Sequence, residues 1–245
     1  MPHSGNRDGH GGEGTAAPAR EPGATTRRRL EPRERREAIL HAARELFSDR
    51  PYAGVSVADV AHAAEVSSPL VVFYYGSKRA LYLAVIETAA DSIRHGLRAL
   101  PGPPSPQRFA AGVRFYAEYA RAHRAGVLSL LRGGHEAALP EAAAAFERLR
   151  DEVAAQILAD LASVDDAGEG GGGDGSAPAT TTPAPVTALA VRGCLGYVDA
   201  VVAHWLTLPE GVGEDGAAVE PDTIAALAVG AFTGGLSAVA SPGEC

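Results

Sequence analysis

Between Ser56 and Lys78 the chain gathers side chains with a common use: hydroxyls at Ser56, Ser67 and Ser68, apolar groups at Pro69, Leu70 and Val72, rings at Phe73 and Tyr74, and a cation at Lys78. Hydroxyl and ammonium groups donate to phosphate oxygens, while rings and short apolar groups meet base edges. The chemistry open to this set is recognition of a nucleic acid. Catalysis has little to stand on. No Ser-His-Asp set, glycine-rich phosphate loop or paired-carboxylate motif occurs, His135-Glu136 is the one adjacent acid/base pair, and no catalytic residue is assigned.

The elements that must hold these residues can be read from spacing. Ser56 stands three residues before Asp59, a capping box that opens a helix with Val57, Val60, Ala61 and Ala64 on one face. Ser67, Ser68 and Pro69 start a second helix, with serine as cap and proline in the first turn; Gly76 ends it after Tyr75, and Ser77 caps a third from Lys78. Two short helices joined by a tight turn have the dimensions of a helix-turn-helix, whose second helix enters the major groove. Hydrophobic spacing alone fits two core helices of an all-α domain equally well. The distinction lies in the second helix, where Val71 and Tyr75 make the buried face and Ser68, Pro69, Val72, Phe73 and Tyr74 are left facing outward. Upstream, Ile39, Ala42, Ala43, Leu46 and Phe47 give a one-faced helix from about Arg33 to Asp49, stopped by Pro51.

From Ala38 to Val85 the sequence resembles the N-terminal domain of TetR-family transcriptional repressors. The resemblance rests on the Ile39-to-Phe47 helix, Tyr52-x-x-Val55-Ser56-Val57, Asp59-Val60-Ala61, Val66-Ser67, Tyr75-Gly76-Ser77-Lys78 and Ala80-Leu81-Tyr82. It implies operator binding, a homodimer and a ligand cavity in the second domain, with repression as the expected sign of control. Glu65 stands where the family usually has a glycine in the turn, and Pro51 where a glycine usually closes the first helix. Val72 replaces a common tyrosine that touches the DNA backbone, and Tyr74 a common histidine. These departures bear on which operator is read and how tightly.

The chain has 245 residues, 46% hydrophobic, and a formal charge of −8. The charge is segregated: residues 1 to 100 hold 14 Lys+Arg against 12 Asp+Glu, and the remainder 8 against 18. That division suits a DNA-facing end and an acidic end turned away from it. Two cysteines, Cys194 and Cys245, make no disulfide framework, and no signal peptide is legible, so a cytoplasmic setting is expected. Scattered histidines give no metal site, and no cofactor is expected. Residues 1–32 read as a disordered basic arm, with Arg27, Arg28, Arg29, Arg33, Arg35 and Arg36 its dense run. It is either a solvated tail or a strap along phosphates and the minor groove.

The expected organisation is therefore all-α: a helix-turn-helix domain over 33–80, and a helical effector-binding and dimerisation domain over 81–245. A helix from Lys78 to about Leu100 links them, and Pro101-Gly-Pro-Pro-Ser-Pro106 closes it. Further helices are expected near Gln107–His123, Ala125–Leu131, Pro140–Ala162, Val186–Leu208 and Asp222–Ala240, with a mobile loop at 163–185. Thr223 to Ala240 is free of charge, long enough to raise a membrane span, but its Ala, Gly, Ser and Thr content argues against one. Gly193, Gly196, Gly230 and Gly234 allow close helix approach, so the two C-terminal helices are expected to pair with those of a second copy as a four-helix bundle. Such a dimer supplies two reading helices for a palindromic duplex operator.

Tyr116, Tyr119 and His123 share one helical face, and Tyr197, His204 and Trp205 another. Facing each other, they would line a small-molecule cavity, with Arg192 and Asp199 either paired structurally or meeting the ligand. Effector binding would swing the linking helix and change the separation of the reading heads. Two rival readings stay open: a dimeric interaction protein that no longer reads DNA, and an all-α enzyme.

Overall fold

The computed structural model describes residues 31–132, 139–168, 185–209 and 218–240. The arm up to residue 30, His135-Glu136 and residues 169–184 of the expected loop lie outside the described residues. Among those described, the chain forms α-helices, one 3-10 turn and no strand, the expected all-α class.

The first four helices make a small head. Helix α1 (Pro32–Asp49) ends where Arg50 turns extended before Pro51, and a 3-10 turn at Tyr52–Gly54 leads to α2 (Val57–Ala63), α3 (Ser68–Tyr75) and α4 (Lys78–Arg98). Ile39, Ala43, Phe47, Val55, Val60, Val71 and Leu81 are almost fully buried together. Phe47 and Tyr82 meet edge to face at 4.8 Å, with Tyr52 4.9 Å from Tyr82, an aromatic knot that ties the end of α1 to the start of α4.

The second layer comprises α5 (Pro106–Ala122), α6 (Arg124–Leu131), α7 (Pro140–Gly168), α8 (Pro185–Trp205) and α9 (Pro221–Ala240). Its core is Val113, Ala117 and Ala120 of α5, Val191, Cys194, Val198 and Val202 of α8, and Ile224, Ala228 and Phe232 of α9. Helix α7 does more than the sequence foretold. Its first turns, with Leu139 just before them, add Ala142 and Ala145 to the core of the head, and Leu149 packs with Ala90 and Ile93 of α4. Three ion pairs lace α4 to α7 along their exposed edges: Arg79–Glu141, Glu87–Arg148 and Arg94–Glu152. Helix α6 presses against α1: a Cβ on Gly126 would stand 3.1 Å from the Phe47 carbonyl oxygen, so glycine permits the approach.

One expectation needs correction. Residues 163–168, expected in a mobile loop, belong to α7, which continues to Gly168 with the Ser163 hydroxyl donating to the Asp160 carbonyl at 2.7 Å. Among the described residues α8 has the length and apolarity to cross a membrane, and Val191, Cys194, Val198 and Val202 bury one stripe of it in the core.

Candidate nucleic-acid interface and adjoining cavity

Local capping sets the reading unit. The Ser56 and Asp59 side chains close a capping box: the Asp59 N–H donates to Ser56 Oγ at 3.1 Å, and the Ser56 N–H donates to Asp59 Oδ2 at 2.7 Å. Those bonds hold the Asp59 carboxyl below its usual pKa, first through the Ser56 hydroxyl. Ser77 caps α4 in the same manner, accepting from the Ala80 N–H at 3.1 Å. Ser67 differs from the expectation. It occupies the N-cap position of α3, and its carbonyl accepts from Leu70 and Val71, yet its hydroxyl makes no capping hydrogen bond. The exposed Ser67 hydroxyl at the start of α3 therefore has no part in closing the helix.

The turn between α2 and α3 passes through Glu65 at φ 52°, so a non-glycine residue occupies left-handed backbone here. The opposite end of α3 uses glycine, with Gly76 at φ 77° redirecting the chain into α4.

Helix α3 is clamped by its inner face. Val71 and Tyr75 are buried, and the Tyr75 hydroxyl donates to the Arg36 carbonyl of α1 at 2.9 Å, while the Arg36 guanidinium lies over the ring. The outer face is free: Phe73 is 78% exposed and Val72 45%, with Pro69 exposed beside them. Ser68, Leu70 and Tyr74 are half-buried, and the Tyr74 ring meets Phe73 edge to face at 5.3 Å. Ser56 is exposed but its hydroxyl is committed to Asp59, and Lys78 sits with its ammonium 4.1 Å from the Tyr52 ring centroid. The residues singled out between Ser56 and Lys78 thus all belong to the head, and Phe73 and Val72 are its exposed large apolar side chains.

Beside the head, α4, α5, α7, α8 and α9 line a cavity of about 730 Å³. Leu97, Phe109, Val113, Val153 and Phe232 are among the apolar side chains of its wall. Polar groups converge on it. The Tyr116 hydroxyl donates to Asp199 Oδ1 at 3.0 Å, Asp199 Oδ2 lies 3.1 Å from Arg150 Nε, and Arg108 pairs with Asp160 at 2.9 Å. The Nε atoms of Arg108 and Arg150 are buried without a hydrogen-bond partner, the Arg150–Asp199 approach being an ion pair outside hydrogen-bond geometry. Burial pushes the Asp199 carboxyl up to about 6 against the opposing pull of Arg150, and pushes the Tyr116 phenol upward as well.

The expected cavity face of α5 is present, and its counterpart on α8 is not. Tyr116 lines the large cavity and, with Tyr119 and His123, a smaller void of about 70 Å³ against Arg44, Phe47 and Ser48 of α1. Ser48 Oγ and His123 Nδ1 are 2.7 Å apart, a direct link from the head to the α5–α6 corner, and burial holds the His123 imidazole below its usual pKa. On α8, the stripe Val191, Cys194, Val198, Val202 takes the inward face, which turns Tyr197 and His204 to the surface. Trp205 donates from Nε1 to the Val219 carbonyl at 2.8 Å and anchors the approach to α9. Arg192 pairs with Asp151 at 2.6 Å on the outside, so it meets neither Asp199 nor the cavity. Arg108, Arg150 and Asp160 escaped the sequence reading, since each resembles an ordinary surface charge on an amphipathic helix. Among the described residues no cluster of three His, Cys, Asp or Glu could hold a metal ion.

Residues 39–85 match the family described as bacterial regulatory proteins, tetR family. The HTH-type transcriptional activator FasR of Mycolicibacterium smegmatis is 40% identical over 70 residues, 29% of this chain and 32% of that protein. The HTH-type transcriptional regulator EthR of Mycobacterium tuberculosis is 31% identical over 96 residues, 38% of this chain and 44% of its own length. The matches to these curated relatives thus span less than half of their length. Over the whole fold, a tetR-family transcriptional regulator from Streptomyces coelicolor superposes with a TM-score of 0.71 at 24% identity, covering 88% of this chain and 86% of that one. A TetR-like regulator from Rhodococcus sp. RHA1 does so at 0.57 and 23% identity, covering 85% and 99%.

Proposed function

We propose that this chain, a member of the bacterial tetR family of regulatory proteins, is a dimeric transcriptional regulator that binds a palindromic duplex operator and releases it on binding a small-molecule effector. The observation that carries the reading is α3: clamped through Val71 and Tyr75 on one side, it leaves Val72 and Phe73 outward on the other. A helix serving only the core would not leave a phenylalanine 78% exposed beside an exposed valine, an apolar patch of the kind that marks an interaction surface. Ser67, Ser68, Pro69, Leu70 and Tyr74 complete the contact with base edges and phosphates, and Ser56 and Lys78 flank it at the backbone.

The division of labour follows the two cores. The head reads DNA, and α4 carries the message from a cavity whose volume falls within the 300–1,000 Å³ usual for small ligands. Its apolar wall and the Tyr116–Asp199–Arg150 cluster suit an apolar molecule with one polar end. Dimerisation is assigned to the outer faces of α8 and α9, where Val186, Leu189 and Tyr197 are exposed at helical spacing around Gly193, and Leu227 around Gly230 and Gly234. Bound to the cell's own DNA, the protein acts in the cytoplasm, and repression is the sign of control proposed.

A mobility shift with the DNA upstream of the gene tests this. A retarded band that candidate effectors dissolve is expected. No band with any upstream or randomised duplex would overturn the reading.

A further inference from the structure

We propose that α3 reads its operator through thymine methyl groups, with Phe73 as the principal specificity-determining residue, so that each half-site is centred on thymines rather than on guanines. This rests on the proposed DNA-binding role of the head and adds what the head selects.

The inventory of α3 is short: Ser68, Pro69, Leu70, Val71, Val72, Phe73, Tyr74 and Tyr75. No guanidinium, ammonium, carboxamide, imidazole or carboxylate occurs in it. The strong pairings of the major groove need those groups, since Arg or Lys grips guanine O6 and N7, Asn or Gln grips adenine N6 and N7, and an acid accepts from cytosine N4. None of these is open to α3. Its outward face instead carries Pro69, Val72 and Phe73 at spacing 0, 3 and 4, all exposed and all apolar. Residues at that spacing lie side by side on a helix. The one apolar feature that the major groove displays is the thymine C5-methyl, which such side chains contact. Phe73 is the more exposed of the two large apolar side chains, at 78% against 45% for Val72, and its ring meets that of Tyr74 edge to face at 5.3 Å, which limits the positions it can take.

A protein partner fits this patch less well. Helix α3 has eight residues and is about 12 Å long. Three side chains along that length fall far below the roughly 800 Å² that each partner of a stable interface covers. The surroundings are also those of a phosphate-binding rim, with the Ser67 hydroxyl uncommitted to the cap at one end of α3 and Lys78 at the other.

The test starts from duplexes selected by the intact protein from a randomised library. Each thymine of the selected half-site is then replaced singly by deoxyuridine, which removes the methyl and nothing else. At the contacted thymines affinity should fall about fourfold per methyl, and by about tenfold or more when both half-sites are changed. Phe73→Ala should weaken binding to the thymine duplex and bring the thymine-to-uracil ratio towards one, while Phe73→Leu keeps part of it. Because Phe73 is exposed, both variants should retain the parent's circular dichroism and melting point. Uracil tolerated at every position of a bound duplex would overturn the methyl readout and leave DNA binding intact. Equal uracil sensitivity in Phe73→Ala would overturn the role of Phe73. Recovery of no duplex, with the α3 face capturing a protein instead, would overturn both this inference and the function on which it rests.

Discussion

Replacing Asp199 by asparagine should change how the stability of this protein depends on pH. In the folded chain the carboxyl is largely enclosed, with 17% of its side chain exposed, and burial lifts it from 3.8 to about 6 despite Arg150 beside it. An acid whose folded pKa exceeds its unfolded value binds more protons in the native state, so its contribution is complete below about pH 4 and is lost as pH rises through about 6. With one pKa unit equal to about 1.4 kcal/mol, wild type should lose about 1 kcal/mol between pH 5 and pH 7 from this group alone. For a chain of this size that is a fall in Tm of about 2–4 °C. The asparagine side chain would still offer a carbonyl oxygen to the Tyr116 hydroxyl, but would carry no titrating proton. Thermal melts of both proteins at pH 5, 6, 7 and 8 give the answer as a difference, in which His123 and every other shared group cancels. The advantage of Asp199→Asn over wild type should grow with pH up to about 7 and then level off. A difference that is flat across the series, or that shrinks as pH rises, would refute the claim that burial governs Asp199.

Further outcomes follow from single features. At Glu65, left-handed backbone costs a residue with a Cβ about 1–2 kcal/mol, and the greater unfolded-state freedom of glycine offsets about 0.5–1 of it, so Glu65→Gly should be about 0.5–1 kcal/mol more stable than Glu65→Ala in urea titrations. Ser48→Ala removes the bond to His123 and should cost about 1 kcal/mol in the same assay, while reducing the factor by which an effector weakens operator binding. Leu189→Arg places a charge in the middle of the proposed dimer face, and sedimentation should show a monomer that retains wild-type helicity.

What could be read from sequence alone was whatever short-range chemistry decides. The capping box at Ser56 and Asp59, the stop at Pro51 and the apolar period of α1 depend on residues within a turn or two, and all are present in the fold. Part of the outward set on α3 was legible for the same reason: once Val71 and Tyr75 are assigned inward, helical geometry places Val72 and Phe73 on the other side, whereas Ser68 and Tyr74, also expected outward, are half-buried, with Tyr74 packed against the core of the head. Long-range pairing was not legible. The alanines at the start of α7 announce a helix but not that Ala142 and Ala145 complete the head's core. Likewise the Arg108–Asp160 and Arg150–Asp199 pairs join residues about 50 positions apart, with no local pattern to mark them. On α8 two stripes competed for the inward face, and the four small or β-branched residues Val191, Cys194, Val198 and Val202 packed there because Tyr197 and His204 would have brought polar atoms with them.

Everything turns on whether duplex DNA rests against the outer face of α3. Equilibrium titration of Phe73→Glu against a duplex selected by the wild type asks this directly, because the substitution sets a negative charge at a position 78% exposed on that helix while leaving the core untouched. Affinity should fall by at least tenfold, with helicity, melting point and sedimentation coefficient unchanged. Binding that equals wild type would mean that the duplex lies elsewhere on the molecule.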